Sequence, residues 1–225
     1  MQSTPAYDVL NEDLFSLLPE ESRKFVDIGC MLGTMAKAVR TRQPDCSYIG
    51  IDIDEGYVES AKDYCTKAIL GDVEALPDEV WNTLFPSDCW ILGDCLEHLR
   101  DPWSLLKKIR SNIAPGGAIA VCLPNAQHWS VQMRLTTGQF FYEQSGLMDR
   151  THLRWFTRST MIKMFEDTGW AIEKGLARRL PANSQQQSVM EAIGHFAEIC
   201  QFDPTVAKQD AEVFQYLFLC RALNS

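Results

Sequence analysis

Residues 25–33, Phe25-Val-Asp-Ile-Gly-Cys-Met-Leu-Gly33, predict the fold of this chain. They combine a short apolar strand, a turn that carries glycines and the start of a helix. A second apolar run, Tyr48-Ile-Gly-Ile-Asp52, follows and ends in a carboxylate. This layout is typical of sites for an adenosine-type ligand, because the turn admits the ligand close to the backbone and the acid accepts hydrogen bonds from ribose. A dinucleotide such as NAD is the weaker alternative, because the loop reads DxGxxxG and not GxGxxG.

Strand-like runs and helical patterns alternate along most of the chain. The predicted strands are 24–28, 47–51, 68–70, 88–92, 118–123, 170–175 and 213–220, and the predicted helices include 32–42, 57–64, 102–112, 159–168 and 189–200. Such alternation predicts an α/β, Rossmann-like, doubly wound sheet of seven mostly parallel strands with helices on both faces. The run 213–220 alternates too weakly for an exposed strand and should lie inside the sheet.

Two segments break the pattern. Residues 124–157 are rich in aromatic and polar residues without a clear period, which is typical of a lid or binding loop and predicts the acceptor region. Residues 181–187 are polar and favour a linker. We expect one domain over 1–225, with 181–225 adding a C-terminal helix and strand.

Composition narrows the class of protein. The net charge of −9 argues against nucleic acid as the main partner. The chain has no apolar run long enough to span a bilayer and no basic-then-apolar start, so we expect a cytoplasmic protein without a signal peptide. The eight cysteines form neither a CxxC pair nor a metal-ligand spacing, which predicts buried thiols in a reducing compartment and no metal.

Six short motifs occur in order: Asp27-x-Gly29-x-x-x-Gly33, Gly50-Ile-Asp52, Gly71-Asp72-Val-Glu, Leu96-Glu-His98, Pro115-Gly-Gly and Leu123-Pro-Asn125. Together they resemble the class I S-adenosylmethionine-dependent methyltransferases over roughly residues 7 to 175. The stretch from Gly146 to Thr157 is similar to a DRTHLRFFT-like block of one bacterial branch, of methyltransferase type 11/12/23. Members of that branch often modify glycans, lipids or small metabolites.

The resemblance implies S-adenosylmethionine as cofactor and a set of residues that bind it: Asp27, Gly29, Met31, Gly33, Asp52, Ile53, Asp72, Val73 and Asp94. Asp52 would hold the ribose and Asp72 would lie near adenine. Two plainer roles stay open, because Asp52 could cap the next helix and Asp72 could be a turn residue. Met31 stands where the family usually has glycine, so its side chain is expected to crowd the methionine end or to require a changed φ.

The resemblance also raises the question of a base, because methyl transfer to a hydroxyl requires removal of its proton. Histidine suits this role, and the chain has His98, His128, His152 and His195. We prefer His152, which lies in the acceptor region between charged neighbours, then His128 and then His98. His152 could instead be a structural pin of the lid, His98 a packing residue or part of the cofactor wall, and His195 a surface residue.

The predicted function is methyl transfer to an oxygen or nitrogen atom of a small molecule, a sugar or a lipid-linked precursor. The alternatives are a protein or RNA methyltransferase and a non-catalytic, cofactor-binding partner protein. A homodimer is possible.

Overall fold

A computed structural model describes residues 9–223 of the chain. The expectation that the chain starts without a signal peptide rests on residues 1–8 and lies outside that range. Among the helices of the described residues, none combines the length and the apolar character that a membrane crossing requires.

Seven strands form one sheet in the order β3-β2-β1-β4-β5-β7-β6. Their bounds are β1 Lys24–Ile28, β2 Ser47–Asp52, β3 Lys67–Leu70, β4 Cys89–Gly93, β5 Ala118–Pro124, β6 Trp170–Arg179 and β7 Val213–Ala222. The first five strands pair in parallel, and β7 pairs antiparallel with both β5 and β6. The predicted mostly parallel, seven-stranded α/β sheet is confirmed, including the interior position of the last strand.

Nine α-helices lie within residues 9–223, one before β1 and eight between consecutive strands. They are α1 Glu12–Leu17, α2 Thr34–Arg42, α3 Glu55–Ala61, α4 Asp78–Thr83, α5 Pro102–Asn112, α6 Trp129–Thr136, α7 Arg158–Asp167, α8 Ser184–Ile199 and α9 Pro204–Glu212. Short 3-10 turns cover Val73–Ala75, Leu96–His98 and Gly146–Met148. Side-chain caps set several helix starts, as where Asp101 accepts the N–H of Ser104 at the start of α5.

The structure corrects the sequence reading at two places. Residues 124–157 are not wholly irregular, because they contain α6. The linker predicted at 181–187 is wrong from residue 184 onward, because α8 begins there. Asn183 and Gln186 form a reciprocal capping box, so the glutamine-rich stretch starts a helix. The helices α4 and α9 were not predicted.

Helices cover both faces of the sheet. One core joins residues of β4 to α4, α5 and α7, with Trp81, Trp90 and Phe165 almost fully buried. The other core joins the opposite face to α1, α2 and α3, with Leu14, Ala36 and residues of β1 and β2.

All eight cysteines are free, and only Cys200 is exposed, as expected for buried thiols without disulfides. The extent of the domain, 1–225, stays a prediction, although β7 joins the same sheet as β1.

The strand order places a crevice at one edge of the sheet. Strands β1 and β4 are neighbours, but the chain runs from β1 outward to β2 and β3, and from β4 outward to β5. In open α/β sheets a ligand site forms outside the carboxyl ends of the strands where the order reverses in this way. The loops after β1, β2 and β4 therefore surround the candidate site.

Candidate active site

The loop after β1 has a left-handed backbone at three positions. The φ angles are +74° at Gly29, +47° at Met31 and +80° at Gly33. A Cβ on Gly33 would lie 3.1 Å from the backbone Cα of Ala61, so a side chain there would be crowded as well as conformationally strained. A Cβ on Gly29 would meet no atom within 4 Å, which leaves that backbone open to an approaching group.

Met31 adopts the conformation that a glycine would take easily. A left-handed φ at a residue with a Cβ costs about 1–2 kcal/mol. Its backbone N–H donates to Asp52 Oδ2 at 2.9 Å, and this bond helps to hold the loop in shape. The sequence predicts a changed φ at Met31, and the structure has one. Met31 adopts the left-handed φ of a glycine, and the loop keeps its hydrogen bond to Asp52.

Asp52, at the end of β2, is 8% exposed. Its Oδ2 accepts the Met31 N–H, and its Oδ1 accepts the N–H of Asp54 at 3.0 Å. Each carboxylate oxygen has two acceptor sites, so each keeps one for a ligand. Asp54 itself caps α3, which removes the alternative that Asp52 is that helix cap. Ile53 follows Asp52 and is 65% exposed, an apolar surface beside the carboxylate.

Asp72 has partners within the protein. Its Oδ1 accepts the N–H of Glu74 at 2.9 Å, and its Oδ2 accepts a hydrogen bond from Arg100 at 3.0 Å. Glu74 in turn accepts the backbone N–H groups of Arg100 and Asp101 at 3.0 and 2.8 Å. Asp72 therefore caps a turn and links it to the segment after β4, which agrees with the turn-residue alternative. The next residue, Val73, is buried.

Asp27 and Asp94 flank the crevice in different ways. Asp27 is 4% exposed, and its carboxylate accepts the hydroxyl of Tyr48 at 2.7 Å, so it links β1 to β2 beneath the loop. Burial raises the pKa of Asp27 to about 7, against the opposing effect of the Tyr48 hydrogen bond. Asp94 lies just after β4 with a left-handed φ of +50°, and it accepts hydrogen bonds from Gln215 and from the thiol of Cys122.

Two of the predicted catalytic histidines, His98 and His152, are in contact. The rings of His98 and His152 lie 4.8 Å apart, edge to face, although the residues are far apart in sequence. Burial lowers the pKa of His98, and burial together with His98 lowers the pKa of His152 to about 4, so both rings are neutral at pH 7. The backbone N–H groups of Leu153 and Arg154 donate to the carbonyl of Glu97 at 2.8 and 3.0 Å, and they hold the His152 segment against the end of β4.

The other two histidines lie elsewhere. His128 caps α6, its Nδ1 lies 2.8 Å from Ser130 Oγ, and its ring packs edge to face against Phe214. Burial lowers the pKa of His128 to about 4. His195 is exposed on α8, as predicted for a surface residue, and its Nδ1 lies 3.5 Å from Glu198 Oε2.

Glu97, in the motif Leu96-Glu-His98, is a candidate site residue that the sequence did not predict. Its side chain is 1% exposed, and its Oε2 has no hydrogen-bond partner among the described residues. Burial, with Asp94 and Asp149 nearby, raises the pKa of this carboxyl well above its usual range. The signal available in the sequence was its place beside His98, directly after a buried strand.

Known proteins match both the sequence and the fold. A methyltransferase-domain family model matches residues 7–174. Trans-aconitate 2-methyltransferase of Methylobacterium radiotolerans is 28% identical over 114 residues, which are 50% of this chain and 43% of the relative. The enzyme of the same name from Yersinia pestis is 28% identical over 117 residues, with the same coverage. The chain thus matches less than half the length of these curated relatives.

Solved structures share the fold at low identity. The magnesium protoporphyrin IX methyltransferase of Synechocystis, solved with bound SAH, superposes with a TM-score of 0.60 at 12% identity and covers 94% of this chain and 81% of its own. The plantazolicin methyltransferase BpumL, also in complex with SAH, gives a TM-score of 0.59 at 15% identity, covering 93% of this chain and 80% of its own. These likenesses establish the architecture, and the family model, which spans well over half of the sequence, establishes that the chain belongs to the methyltransferase-domain family.

Proposed function

We propose that this protein binds S-adenosylmethionine and methylates an oxygen or nitrogen atom of a small molecule, a sugar or a lipid-linked precursor. The observation that carries the proposal is the loop from Gly29 to Gly33. It combines left-handed backbone at Gly29, Met31 and Gly33 with a direct hydrogen bond to Asp52. This is the arrangement by which a ligand can approach a backbone turn while its ribose reaches a carboxylate.

The residues around this loop fit an adenosine-type group. Gly29 leaves open space where a side chain would otherwise project. Asp52 keeps one acceptor site on each oxygen, which suits the two hydroxyls of a ribose. The exposed side chain of Ile53 offers an apolar surface to a base ring. Gly33 is the N-cap of α2 and provides no side-chain cap, so the N-terminus of that helix can face a carboxylate.

S-adenosylmethionine supplies a methyl group that is already activated on a sulfonium. The protein therefore has to bind and orient the acceptor, exclude water and accept a proton where the acceptor is a hydroxyl. We assign the acceptor side to residues 124–157 and place His98 and His152 next to the acceptor. Both rings are neutral at pH 7 and can accept a hydrogen bond from it. His128 is the weaker candidate, since it caps α6.

Charge and relatives favour a small acceptor. A net charge of −9 disfavours a nucleic acid, whose phosphates bind basic surfaces. Trans-aconitate, named as the substrate of the curated relatives, is a small acid, which supports a small-molecule acceptor here. A homodimer is part of the proposal and is tested by sedimentation velocity.

Calorimetry with S-adenosylhomocysteine tests the proposed function. Asp52→Ala should weaken binding by roughly 10- to 150-fold, because it removes charge-assisted hydrogen bonds worth about 1.5–3 kcal/mol. Asp45→Ala, at an exposed position after α2, is the matched control and should bind as the wild type does. Unchanged affinity in Asp52→Ala, or no binding by the wild type, would reject the proposal.

A further inference from the structure

Glu97, His98 and His152 bring three potential metal ligands together. One ligand atom of each residue can be chosen so that all three lie within 4.8 Å of one another. Glu97 and His98 come from the 3-10 turn after β4, and His152 comes from the acceptor region. The expectation of no metal rested on the spacing of the cysteines, and none of these three ligands is a cysteine.

One oxygen of the buried Glu97 carboxyl group lacks a hydrogen-bond partner. The residue is 1% exposed, and this oxygen, Oε2, has no partner among the described residues. A buried carboxyl group with an unpaired oxygen either stays neutral or gains a cation, because an uncompensated charge in the interior costs several kcal/mol. The other two side chains of the cluster, His98 and His152, are imidazoles that can share a cation with it.

The hydrogen bonds of His98 identify its free nitrogen. Nδ1 lies 3.3 Å from the backbone carbonyl oxygen of Thr151 and 3.1 Å from Thr151 Oγ1. A carbonyl can only accept, and the Thr151 hydroxyl donates its own hydrogen to Asp149 Oδ1 at 2.6 Å. Nδ1 therefore carries the hydrogen, and the lone pair is on Nε2. Metal-binding histidines are typically held in this way, by a second ring nitrogen that donates to an outer partner.

The ring of His152 packs against an aromatic side chain of the acceptor region. The ring of Trp155 lies 6.0 Å away, edge to face. A neutral imidazole has a lone pair on one ring nitrogen, whichever tautomer it adopts. His98 and His152 each have one such nitrogen, and Oε2 of Glu97 has no hydrogen-bond partner among the described residues.

We propose that Glu97, His98 and His152 bind one divalent first-row transition cation, and that this cation, in place of a direct hydrogen bond to the two imidazoles, holds an oxygen atom of the methyl acceptor. Mixed imidazole and carboxylate ligands suit Mn²⁺, Co²⁺ and Zn²⁺ better than Mg²⁺ or Ca²⁺, which prefer oxygen alone. Three protein ligands leave coordination positions open for an exogenous oxygen. The role given to the acceptor rests on the proposed function, and it selects acceptors with a hydroxyl or carboxylate oxygen that can bind a metal.

Cobalt titration of the full, tag-free chain tests the site. After chelator treatment, the wild type should bind one Co²⁺ and develop its visible d–d bands, and Zn²⁺ should displace it. Glu97→Gln, His98→Ala and His152→Ala should each weaken binding at least ~10-fold. Thr151→Val, which removes only the outer hydroxyl, should weaken it by about 10- to 100-fold. His195→Ala, on the exposed face of α8, is the control and should bind Co²⁺ as the wild type does.

Three measurements make the outcome decisive. X-ray absorption of the cobalt-loaded wild type should show two imidazole ligands, and a spectrum without imidazole overturns the proposal even if a variant fails to fold. Thermal unfolding of each variant separates lost ligation from lost structure. Calorimetry with S-adenosylhomocysteine on the chelated wild type separates the two proposals. Normal binding there without any uptake of Co²⁺ or Zn²⁺ rejects the cation site and leaves the methyltransferase function standing. Uptake of cobalt without binding of S-adenosylhomocysteine rejects the methyltransferase function and leaves the cation site standing.

Discussion

The backbone N–H of Met31 donates to Asp52 Oδ2 at 2.9 Å, so the loop after β1 and the end of β2 are joined directly. The bond uses the main chain of residue 31 and not its side chain. Any residue other than proline could supply it, provided that the backbone keeps its φ of +47°. The side chain of Met31 and the carboxylate of Asp52 can therefore be tested by separate substitutions.

Met31→Gly should preserve or strengthen binding of S-adenosylhomocysteine. Glycine adopts the left-handed φ without the cost of about 1–2 kcal/mol that a Cβ imposes, and it keeps the N–H that reaches Asp52. Calorimetry measures the affinity, and urea unfolding measures the stability. Gln201→Gly is the matched control, because Gln201 also has a left-handed φ, of +63°, at the end of α8. It should change stability alone. A large loss of affinity in Met31→Gly would show that the thioether side chain contributes to binding.

Asp27 should make the protein less stable as pH rises from about 4 to about 7. Burial raises its pKa from 3.8 to about 7, so the folded state binds more protons than the unfolded state in this window. The free energy of unfolding then falls with pH, by up to ~1.4 kcal/mol per pH unit for one such group. Asp27→Asn removes this contribution, and urea unfolding across the window should show a flatter profile than the wild type.

The control for this profile is Asp45→Asn, because Asp45 is exposed. Its profile should parallel that of the wild type. A second variant, Tyr48→Phe, removes the hydrogen bond that lowers the pKa of Asp27 and should extend the fall in stability to higher pH. Identical profiles for Asp27→Asn and the wild type would contradict the assignment.

His152→Ala and His128→Ala should fail in different ways. We expect His152→Ala to lower turnover by about 10²- to 10⁴-fold with little change in affinity for S-adenosylhomocysteine. His128→Ala should instead lower the melting temperature, because it removes the cap of α6, worth about 1 kcal/mol, and the packing against Phe214. Turnover and thermal unfolding measured on one preparation of each distinguish the two roles. Full activity in His152→Ala would dismiss its place beside the acceptor.

Hydrogen exchange should divide the acceptor region into anchored and open parts. Asn125 donates to the carbonyls of Asp210 and Val213 at 2.7 and 2.8 Å, and the segment at 153–154 is bonded to Glu97. Residues 138–146 are mostly exposed, with Phe141 65% accessible. We expect residues 138–146 to exchange fastest and to slow when S-adenosylhomocysteine and an acceptor are both bound. Equal exchange with and without ligands would remove the lid role.

The parallel half of the sheet could be predicted from sequence because each strand is a short apolar run that ends at a turn. The bounds of β1 and α5 agree to the residue with the predicted 24–28 and 102–112. The prediction of a linker over 181–187 is wrong at the start of α8. Glutamines are common in linkers, and a helix is indicated there only by its capping residues. Asn183 supplies that cap together with Gln186, and the polar stretch becomes the first turn of the helix.

The candidate site could be predicted only in its local part. The glycine loop and Asp52 follow from one stretch of chain, whereas the contact between His98 and His152 depends on how residues 124–157 return to the end of β4. Oε2 of Glu97 has no hydrogen-bond partner among residues 9–223 because the residue is buried, and burial of a single glutamate cannot be read from a local sequence pattern. The pairing of Asp72 with Arg100 is likewise a contact between two separate loops.

The position of β7 has a consequence for synthesis. This strand lies between β5 and β6, although it is made after both of them. In the folded chain β7 is the partner of one edge of β5 and pairs with β6, so we expect both strands to lack this partner while the nascent chain grows through α8 and α9. Strands β5 and β6 can pair with β7 only after residues 213–222 have emerged from the ribosome and formed a strand between them. Because this pairing is non-local, it should be the slow, aggregation-exposed step of folding, and ribosome stalling before residue 213 should leave a chain that chaperones hold.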